Sequence, residues 1–438
     1  MNFIKSEQEK IDIFLISILY VMLTSIFFVT SIIQIQMSLF GHIFIKGIHF
    51  NLLICVMLFM YIVWYFINKR KLIFDKISII SVFLGIYVLL DMIFIKYRLD
   101  YSLGYIAYSI NTELFIFLSC IILIAPPIIK RKDIKNISIY FLVVYVINIV
   151  ISFMQHFSNS LLYKNYTDGN GNILLQTDEF TRSVVRAIGT FSSGLKLGIF
   201  CLFVVVFLLT YIWINYTKMN LKSKILISVL IILGIGVIYI SYTRNLYFLL
   251  LYMIVYLLGF KFLRGKAKKV LIYMYPIVTP ILYTLTTVLI IPVIFTNFAS
   301  SLFSPQNLLA RLNFWKHHFM SFKEWSLFDK LFGKSIVQIS DTKAISYGVK
   351  EVVFDNMFLN AFSFIGIIGL VIFITYVFNI YLSVIRNVKE NYLMLAMGIF
   401  SSGIFMMGTL NNIEDIFEIL GVFIACLFIR LCNKVEEV

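Results

Sequence analysis

Arginines stand where apolar runs of the sequence begin, and an aspartate stands in the same position further along the chain. Arg244 is the only charged residue of a long apolar stretch, and Arg182 and Arg186 precede a second apolar run. Asp355 precedes a third. A guanidinium binds phosphate oxygens through a bidentate fork, and a carboxylate can take the proton of an attacking hydroxyl group. These residues predict a phosphate or pyrophosphate site with a candidate general base near a membrane surface.

Each of these residues also has an ordinary structural interpretation. At the centre of a membrane span Arg244 would cost roughly 2.5–3.5 kcal/mol. The spacing of the apolar runs instead places it at the start of a span, where helix N–H groups and the helix dipole favour an anion. An arginine there could equally extend to lipid headgroups. Arg182 and Arg186 could be solvated loop charges, and Asp355 is a favoured helix N-cap.

The composition of the whole chain is that of a membrane protein. Of its 438 residues 61% are hydrophobic and 13% charged, and the mean hydropathy is +0.95. Soluble domains have roughly 45–50% apolar and 25% charged residues. One span takes about 20 residues, and the apolar runs number about twelve. We therefore predict an all-α polytopic integral membrane protein with about 12 transmembrane helices, forming a single transmembrane domain over residues 1–438.

The positions of the basic residues predict the orientation of this bundle. More than half of the 37 lysines and arginines lie in short connections or tails on one side, as in Lys69-Arg70-Lys71 and Lys130-Arg131-Lys132. The positive-inside rule makes that side cytoplasmic. Two long loops, 156–192 and 296–356, are then both extracytoplasmic, and both termini are cytoplasmic. The net charge of +15 is explained by topology, and nucleic acid is not a predicted partner.

Several classes of site for soluble ligands are not predicted. The sequence has no G-x-x-x-x-G-K-[ST] phosphate loop and no D-x-D pair for a metal-bound nucleotide sugar. The five histidines show no metal-ligand spacing. The five cysteines lie in apolar runs or at the end of one, which is not the pattern of a disulfide framework. We therefore expect neither a metal nor a cofactor.

The second long loop contains a predicted amphipathic helix. Ser304 is a suitable N-cap and Pro305 suits the first helical position. An apolar stripe with helical spacing follows, made of Leu308, Leu312, Trp315, Phe319 and Phe322. Arg311 and His318 share one flank of this stripe. The helix could rest on the outer bilayer surface, or it could form a lid with Arg311 facing a cavity.

Six short motifs follow one another in the second half of the chain. They are Arg186-x-x-Gly189-x-Phe191, Thr243-Arg244, Arg311-x-x-x-Trp315, Leu331-Phe332-Gly333, Asp355-Asn356-x-Phe358-Leu359 and Gly366-Ile-Ile-Gly369-Leu370. In this order, and placed around two outer loops, they resemble the O-antigen ligase and polymerase superfamily. The chain looks most like the Wzy-type repeat-unit polymerases of capsules and exopolysaccharides. The resemblance covers about residues 186–370.

The resemblance implies glycosyl transfer at the outer face without metal or nucleotide. A polyprenyl-diphosphate-linked oligosaccharide, such as one on undecaprenyl diphosphate, would be both donor and acceptor. Arg186 and Arg244 would be catalytic clamps on the diphosphate. The ligases and many polymerases of that superfamily have His-Asn where this chain has Asp355-Asn356, which leaves Asp355 as the candidate base. The ligases have Ser-Arg where this chain has Thr243-Arg244. Substrate binding is assigned to Arg182, Arg311, Trp315, His318 and Asn356.

The sequence thus predicts a polysaccharide polymerase similar to GT-C glycosyltransferases, in the bacterial cytoplasmic membrane. Its expected partners are the lipid-linked oligosaccharide, membrane lipid and other polysaccharide-assembly proteins. A flippase for the same lipid-linked oligosaccharide is the alternative from another class, although flippases usually have two repeated halves and no repeat is visible here. A ligase that transfers finished glycan to another acceptor is the closer alternative.

Overall fold

The computed structural model describes residues 2–42, 47–68, 71–99, 114–126, 131–162, 180–181, 184–191, 193–285, 320–334, 357–386, 388 and 392–408. The helices within these ranges are α1 (Asn2–Phe40), α2 (Gly47–Ile67), α3 (Lys76–Leu99), α4 (Leu114–Ile124), α5 (Arg131–Phe157), α6 (Gly194–Asn215), α7 (Leu221–Ile240), α8 (Arg244–Phe262), α9 (Gly265–Leu285), α10 (Leu327–Phe332), α11 (Met357–Arg386) and α12 (Tyr392–Gly408). Two short strands, β1 (Phe180–Thr181) and β2 (Val184–Val185), pair antiparallel. The predicted all-α class is confirmed for this part of the chain.

Five of the described helices are long and apolar enough to cross a membrane: Lys76–Phe94, Lys135–Phe157, Gly194–Asn215, Leu221–Ile240 and Phe358–Arg386. Their surfaces are also apolar. In α7, for example, Leu226 and Ile232 are 61% and 67% exposed. Such side chains are stable on a surface that faces lipid, so the chain is a membrane-embedded protein. The total of twelve spans stays a prediction, because residues 409–438 and parts of other apolar runs lie outside the described residues.

Helix α6 is the most buried of these five spans and organises the core. Its N-cap Ser193 accepts a hydrogen bond from the Lys196 backbone N–H at 3.3 Å. A helix that is apolar on all sides belongs inside a bundle, and α6 packs against α5, α7, α8 and α12. One end of the bundle contains the end of α5, the start of α6 and the turn between α7 and α8.

Helix α11 is interrupted at Gly366, where its backbone closely approaches that of Gly333. Gly366 lies within it at φ 64°, and Gly333, which follows α10, has φ 85°. A Cβ on Gly333 would lie 2.3 Å from the Phe364 carbonyl oxygen, and a Cβ on Gly366 would lie 2.3 Å from that of Leu331. Only glycine permits both the backbone conformation and the contact. This contact joins two of the six sequence motifs.

Residues at the break are also hydrogen-bonded. The Tyr87 hydroxyl of α3 donates to the Ile365 carbonyl at 3.0 Å. The Lys334 N–H donates to the Ser363 carbonyl at 2.9 Å. Carbonyl groups freed by a helix break in a membrane need such partners. These hydrogen bonds therefore stabilise the break in α11.

The predicted orientation can be tested by cysteine labelling. Single cysteines at Asn165 and Lys343, in the two long loops, should react with a membrane-impermeant thiol reagent in intact cells. A cysteine at Lys222, in the first turn of α7, should be protected until the membrane is permeabilised. Protection of both loop positions would overturn the orientation and with it an extracytoplasmic mechanism.

Candidate functional site at the start of α8

The chain between β2 and α6 runs into the bundle instead of over its surface. Val185, Ala187, Ile188 and Phe191 are each at most 1% exposed. The backbone polar groups of a buried segment must find partners inside the protein. We call residues 184–191 the buried segment. It lies within the predicted first long loop, which is therefore not wholly a solvated loop.

Two amide side chains of α5 hold the backbone of the buried segment. The Gln155 side-chain oxygen accepts hydrogen bonds from the N–H groups of Ile188 at 3.0 Å and Gly189 at 2.9 Å. The Asn148 side-chain oxygen accepts from the Thr190 N–H at 2.8 Å. The two amides are seven positions apart in the sequence, which is about two helical turns, so both lie on the same face of α5.

Gly189 fits this arrangement because it has no side chain. Its φ is +59°, and a Cβ there would lie 2.1 Å from the Asn148 side-chain oxygen. Two residues later, the fully buried Phe191 ring packs 5.8 Å from Phe27 and 5.3 Å from Phe200, centroid to centroid. These contacts explain why the motif Arg186-x-x-Gly189-x-Phe191 has glycine and phenylalanine at these positions. Gly189 turns the chain and Phe191 anchors it, which fixes the position of Arg186.

Replacing Gly189 by alanine should destabilise the protein strongly. The change adds left-handed backbone strain of about 1–2 kcal/mol and displaces the Asn148 amide from a buried hydrogen bond worth about 1–3 kcal/mol. Gly265→Ala is the matched control, because Gly265 also has positive φ (+55°) but nothing within 4 Å of its Cβ position. Thermal unfolding in detergent should show a clearly larger loss for Gly189→Ala. Equal losses in the two variants would contradict the role given to the Asn148 contact.

Arg186 is held against the turn between α7 and α8. Its Nε donates to the Ser241 carbonyl at 3.2 Å, and its Nη2 donates to the Thr243 hydroxyl at 3.1 Å. The neighbouring Ala187 N–H donates to the Ile240 carbonyl at 3.2 Å. Arg186 is half-buried, so the interpretation as a freely solvated loop charge does not describe it. Its guanidinium is fixed in place by the turn that it contacts.

This turn leads directly into the N-terminus of α8. Thr243 is the N-cap, but its side chain makes no capping hydrogen bond. Its hydroxyl instead donates to the Ser241 carbonyl at 3.2 Å and accepts from Arg186. The positive end of the α8 dipole and a fixed guanidinium therefore lie side by side.

The structure thus brings Arg186 to the Thr243-Arg244 pair. The backbone of Arg244 is described, as the first residue of α8, while its side chain is not among the described parts. The sequence has no Asp or Glu between Glu179 and Glu324. The segments that build this site therefore carry no acidic residue of their own, and their charge is wholly positive. Such an arrangement suits an anion.

Tyr242 occupies the centre of the same turn. It has a left-handed backbone conformation, with φ +49°, which is uncommon for a residue other than glycine. Burial, and secondarily the neighbouring Tyr239, raises the pKa of the Tyr242 hydroxyl. The phenol therefore stays protonated at neutral pH and can act as a hydrogen-bond donor.

The middle of the second long loop packs on the first turns of α11. Phe322 lies 4.6 Å from Phe362, centroid to centroid, and Trp325 stacks on the same ring at 6.0 Å. Residues 320–324 are helical, and Phe322 is buried as its place on the predicted apolar stripe requires. Helix α11 begins at Met357, immediately after Asp355 and Asn356 in the sequence.

The other predicted site residues lie outside the described residues, and their roles stay predictions. They are Arg182, Arg311, Trp315, His318, Asp355 and Asn356. The sequence analysis gave no role to Gln155 or to Asn148. The signal that could have found both is a carboxamide within an apolar run, since such a group must bond something inside the bundle.

No three His, Cys, Asp or Glu side chains within the described ranges lie together as metal ligands would. Comparison of the chain with protein-family models and with curated proteins gives no match.

Proposed function

We propose that the chain is a membrane glycosyltransferase that polymerises polyprenyl-diphosphate-linked oligosaccharide repeat units at the outer face of the bacterial cytoplasmic membrane. The observation that carries the proposal is the contact between the Arg186 guanidinium and Thr243 at the start of α8. A guanidinium and a helix N-terminus together favour a phosphate group. Under the predicted topology this pair lies at headgroup depth on the outer side, where the diphosphate of a lipid-linked sugar would be.

The chemistry needs no nucleotide and no metal, because the energy is stored in the sugar–phosphate bond. A hydroxyl oxygen of the acceptor glycan attacks the anomeric carbon of the donor sugar. The bond from that carbon to the phosphate oxygen breaks, and polyprenyl diphosphate leaves with the bonding electrons. Asp355 takes the hydroxyl proton. Arg186, Arg244 and the α8 N-terminus stabilise the charge that develops on the leaving diphosphate.

Fixing Arg186 before substrate arrives is important for this chemistry. Preorganised charges lower a barrier more than mobile ones, because they need no reorganisation during the reaction. The hydrogen bonds from Arg186 to Ser241 and Thr243 supply that fixation. The hydrogen bonds from the buried segment to Gln155 and Asn148 also hold the backbone that carries Arg186. This supports a catalytic role over that of a lysine or arginine moving among lipid headgroups.

The proposal is tested by reconstituting the purified chain in vesicles with a lipid-linked repeat unit. A ladder of products on a gel, each one repeat unit longer than the last, is the expected result. Movement of the lipid-linked unit across the vesicle membrane without any ladder would instead identify a flippase. Transfer of glycan to a different acceptor, without a ladder, would identify a ligase.

A further inference from the structure

A cluster of aromatic rings surrounds the turn that Arg186 contacts. The ring of His156, in the last turn of α5, lies 6.3 Å from that of Tyr242, and Tyr242 lies 6.3 Å from Tyr239. Tyr247 stacks on Tyr239 at 6.2 Å and donates its hydroxyl hydrogen bond to the Tyr239 carbonyl at 2.9 Å. We call His156, Tyr239, Tyr242 and Tyr247 the aromatic cluster. It is built from α5, α7, α8 and the turn between the last two.

The hydrogen bonds that fix Arg186 hold it against the turn that carries Tyr242. Tyr242 stands between Ser241 and Thr243, the two residues to which the guanidinium donates. A ligand with its phosphate at Arg186 would therefore lie next to the turn that carries Tyr242, a member of this cluster. Tyr239 is 58% exposed and the Tyr242 ring is half-buried, so ring surface is available for contact.

His156 adds an imidazole ring with one enclosed nitrogen atom to the aromatic cluster. Its Nδ1 is enclosed and has no hydrogen-bond partner among the described residues, whereas Nε2 is not enclosed in this way. An enclosed N–H without an acceptor is costly, so the neutral ring is more stable with its proton on Nε2. Nε2–H is then the hydrogen-bond donor that the His156 ring offers to a ligand.

Rings with adjacent donors match the chemistry of a sugar. A pyranose has a face of C–H groups that packs on aromatic rings and an edge of hydroxyl groups that needs hydrogen-bond partners. An acyl or prenyl chain would use the rings but would leave the donors of His156 and Tyr242 without acceptors. The aromatic cluster therefore fits a carbohydrate better than it fits lipid alone.

We propose that the aromatic cluster binds the donor sugar nearest to the diphosphate. The sugar packs on the rings of Tyr239 and Tyr242, and His156 Nε2–H donates to one of its hydroxyl groups. This inference rests on the proposed function, since it takes the diphosphate to lie at Arg186. It adds a carbohydrate subsite on α5 and α7, which the sequence motifs do not include.

The test compares the binding of two probes to the full-length protein in nanodiscs. One probe is a short-chain polyprenyl diphosphate without sugar. The other is the same lipid carrying the oligosaccharide repeat unit made by the cells in which the protein occurs. The variants are His156→Phe, which keeps the ring but loses the donor, and Tyr239→Leu at an exposed position. Tyr216→Leu is the control, because Tyr216 is similarly exposed, at 57%, at the opposite end of the bundle.

Wild type should bind the sugar-bearing probe about tenfold more tightly than the bare lipid, as expected for one hydrogen bond and a ring contact. Both variants should lose most of this preference, bind the bare lipid as wild type does and unfold at a similar temperature. The control should keep the preference. A preference that survives in both variants, or is absent from wild type, overturns the sugar subsite but leaves the diphosphate site intact. Failure of wild type to bind either probe overturns the proposed function and the subsite together.

Discussion

Replacing Asp355 by asparagine should lower the rate of polymer formation by about 10²–10⁴, the usual contribution of a general base. The protein should remain folded and reach normal membrane levels, because asparagine caps a helix about as well as aspartate does. Rates are measured as polymer formed per mole of purified protein. The expected loss separates a chemical role from a structural one, since a pure N-cap would tolerate this change.

Two further variants complete the comparison. Asp355→Ala should add a stability loss of only about 0.5–2 kcal/mol if the residue is also an N-cap. Asp329→Asn is the matched control, because the Asp329 carboxylate accepts a hydrogen bond from Ser326 in the N-terminal turn of α10. That change should leave the rate nearly unaltered. An active Asp355→Asn variant would assign hydroxyl activation to another residue or to the substrate and would leave the arginine site unaffected.

The second large effect is expected at Arg186. Arg186→Lys keeps the charge but loses the fork that donates to Ser241 and Thr243. The ammonium group is then no longer fixed beside the start of α8. We expect the rate of polymer formation to fall at least about tenfold, with weaker binding of bare polyprenyl diphosphate. Arg244→Lys should have an effect of the same size.

Control variants distinguish loss of the clamp from loss of the fold. Arg264→Lys, in the exposed connection between α8 and α9, should be fully active. Thr243→Val removes one hydrogen bond to Arg186 but keeps the arginine, so its rate should lie between those of wild type and Arg186→Lys. Unfolding temperatures show whether the turn itself has been lost. Full activity in Arg186→Lys and in Arg186→Ala would remove Arg186 from the site.

The sequence could predict the helices and the two segments that meet at the site. Apolar runs of about 20 residues mark α6 and α7, and their N-caps Ser193 and Asn220 are ordinary capping residues. An isolated arginine in apolar sequence, Arg244, marked the start of α8. These signals are local, and local signals survive in a membrane because every helix must satisfy its own backbone.

The contacts that hold the site could not be predicted in this way. Gln155 bonds residues 188 and 189, and Asn148 bonds Thr190, across more than thirty residues of sequence. No periodicity relates an amide on α5 to a non-helical segment so far along the chain. The burial of residues 184–191 was missed for the same reason, because the arginines Arg182 and Arg186 made this part of the loop look solvated until its partners were known.

The aromatic cluster illustrates a different difficulty. Tyrosines near helix ends are typical of the interface between membrane and water, so the sequence of Tyr239 and Tyr242 gives no reason to expect a binding surface. The interpretation changes only when the Arg186 contacts and the enclosed Nδ1 of His156 place charge and a donor beside the rings.

The proposed reaction is tested most directly by counting the polyprenyl diphosphate released for each glycosidic bond that the purified protein forms. The assay contains a lipid-linked repeat unit as the only substrate, with a chelator present and no nucleotide added. The proposed polymerase reaction should release one polyprenyl diphosphate for each bond formed, together with a ladder of lengthening products. Bond formation that requires a metal or a nucleotide, or movement of the lipid-linked unit without any release of polyprenyl diphosphate, would contradict it.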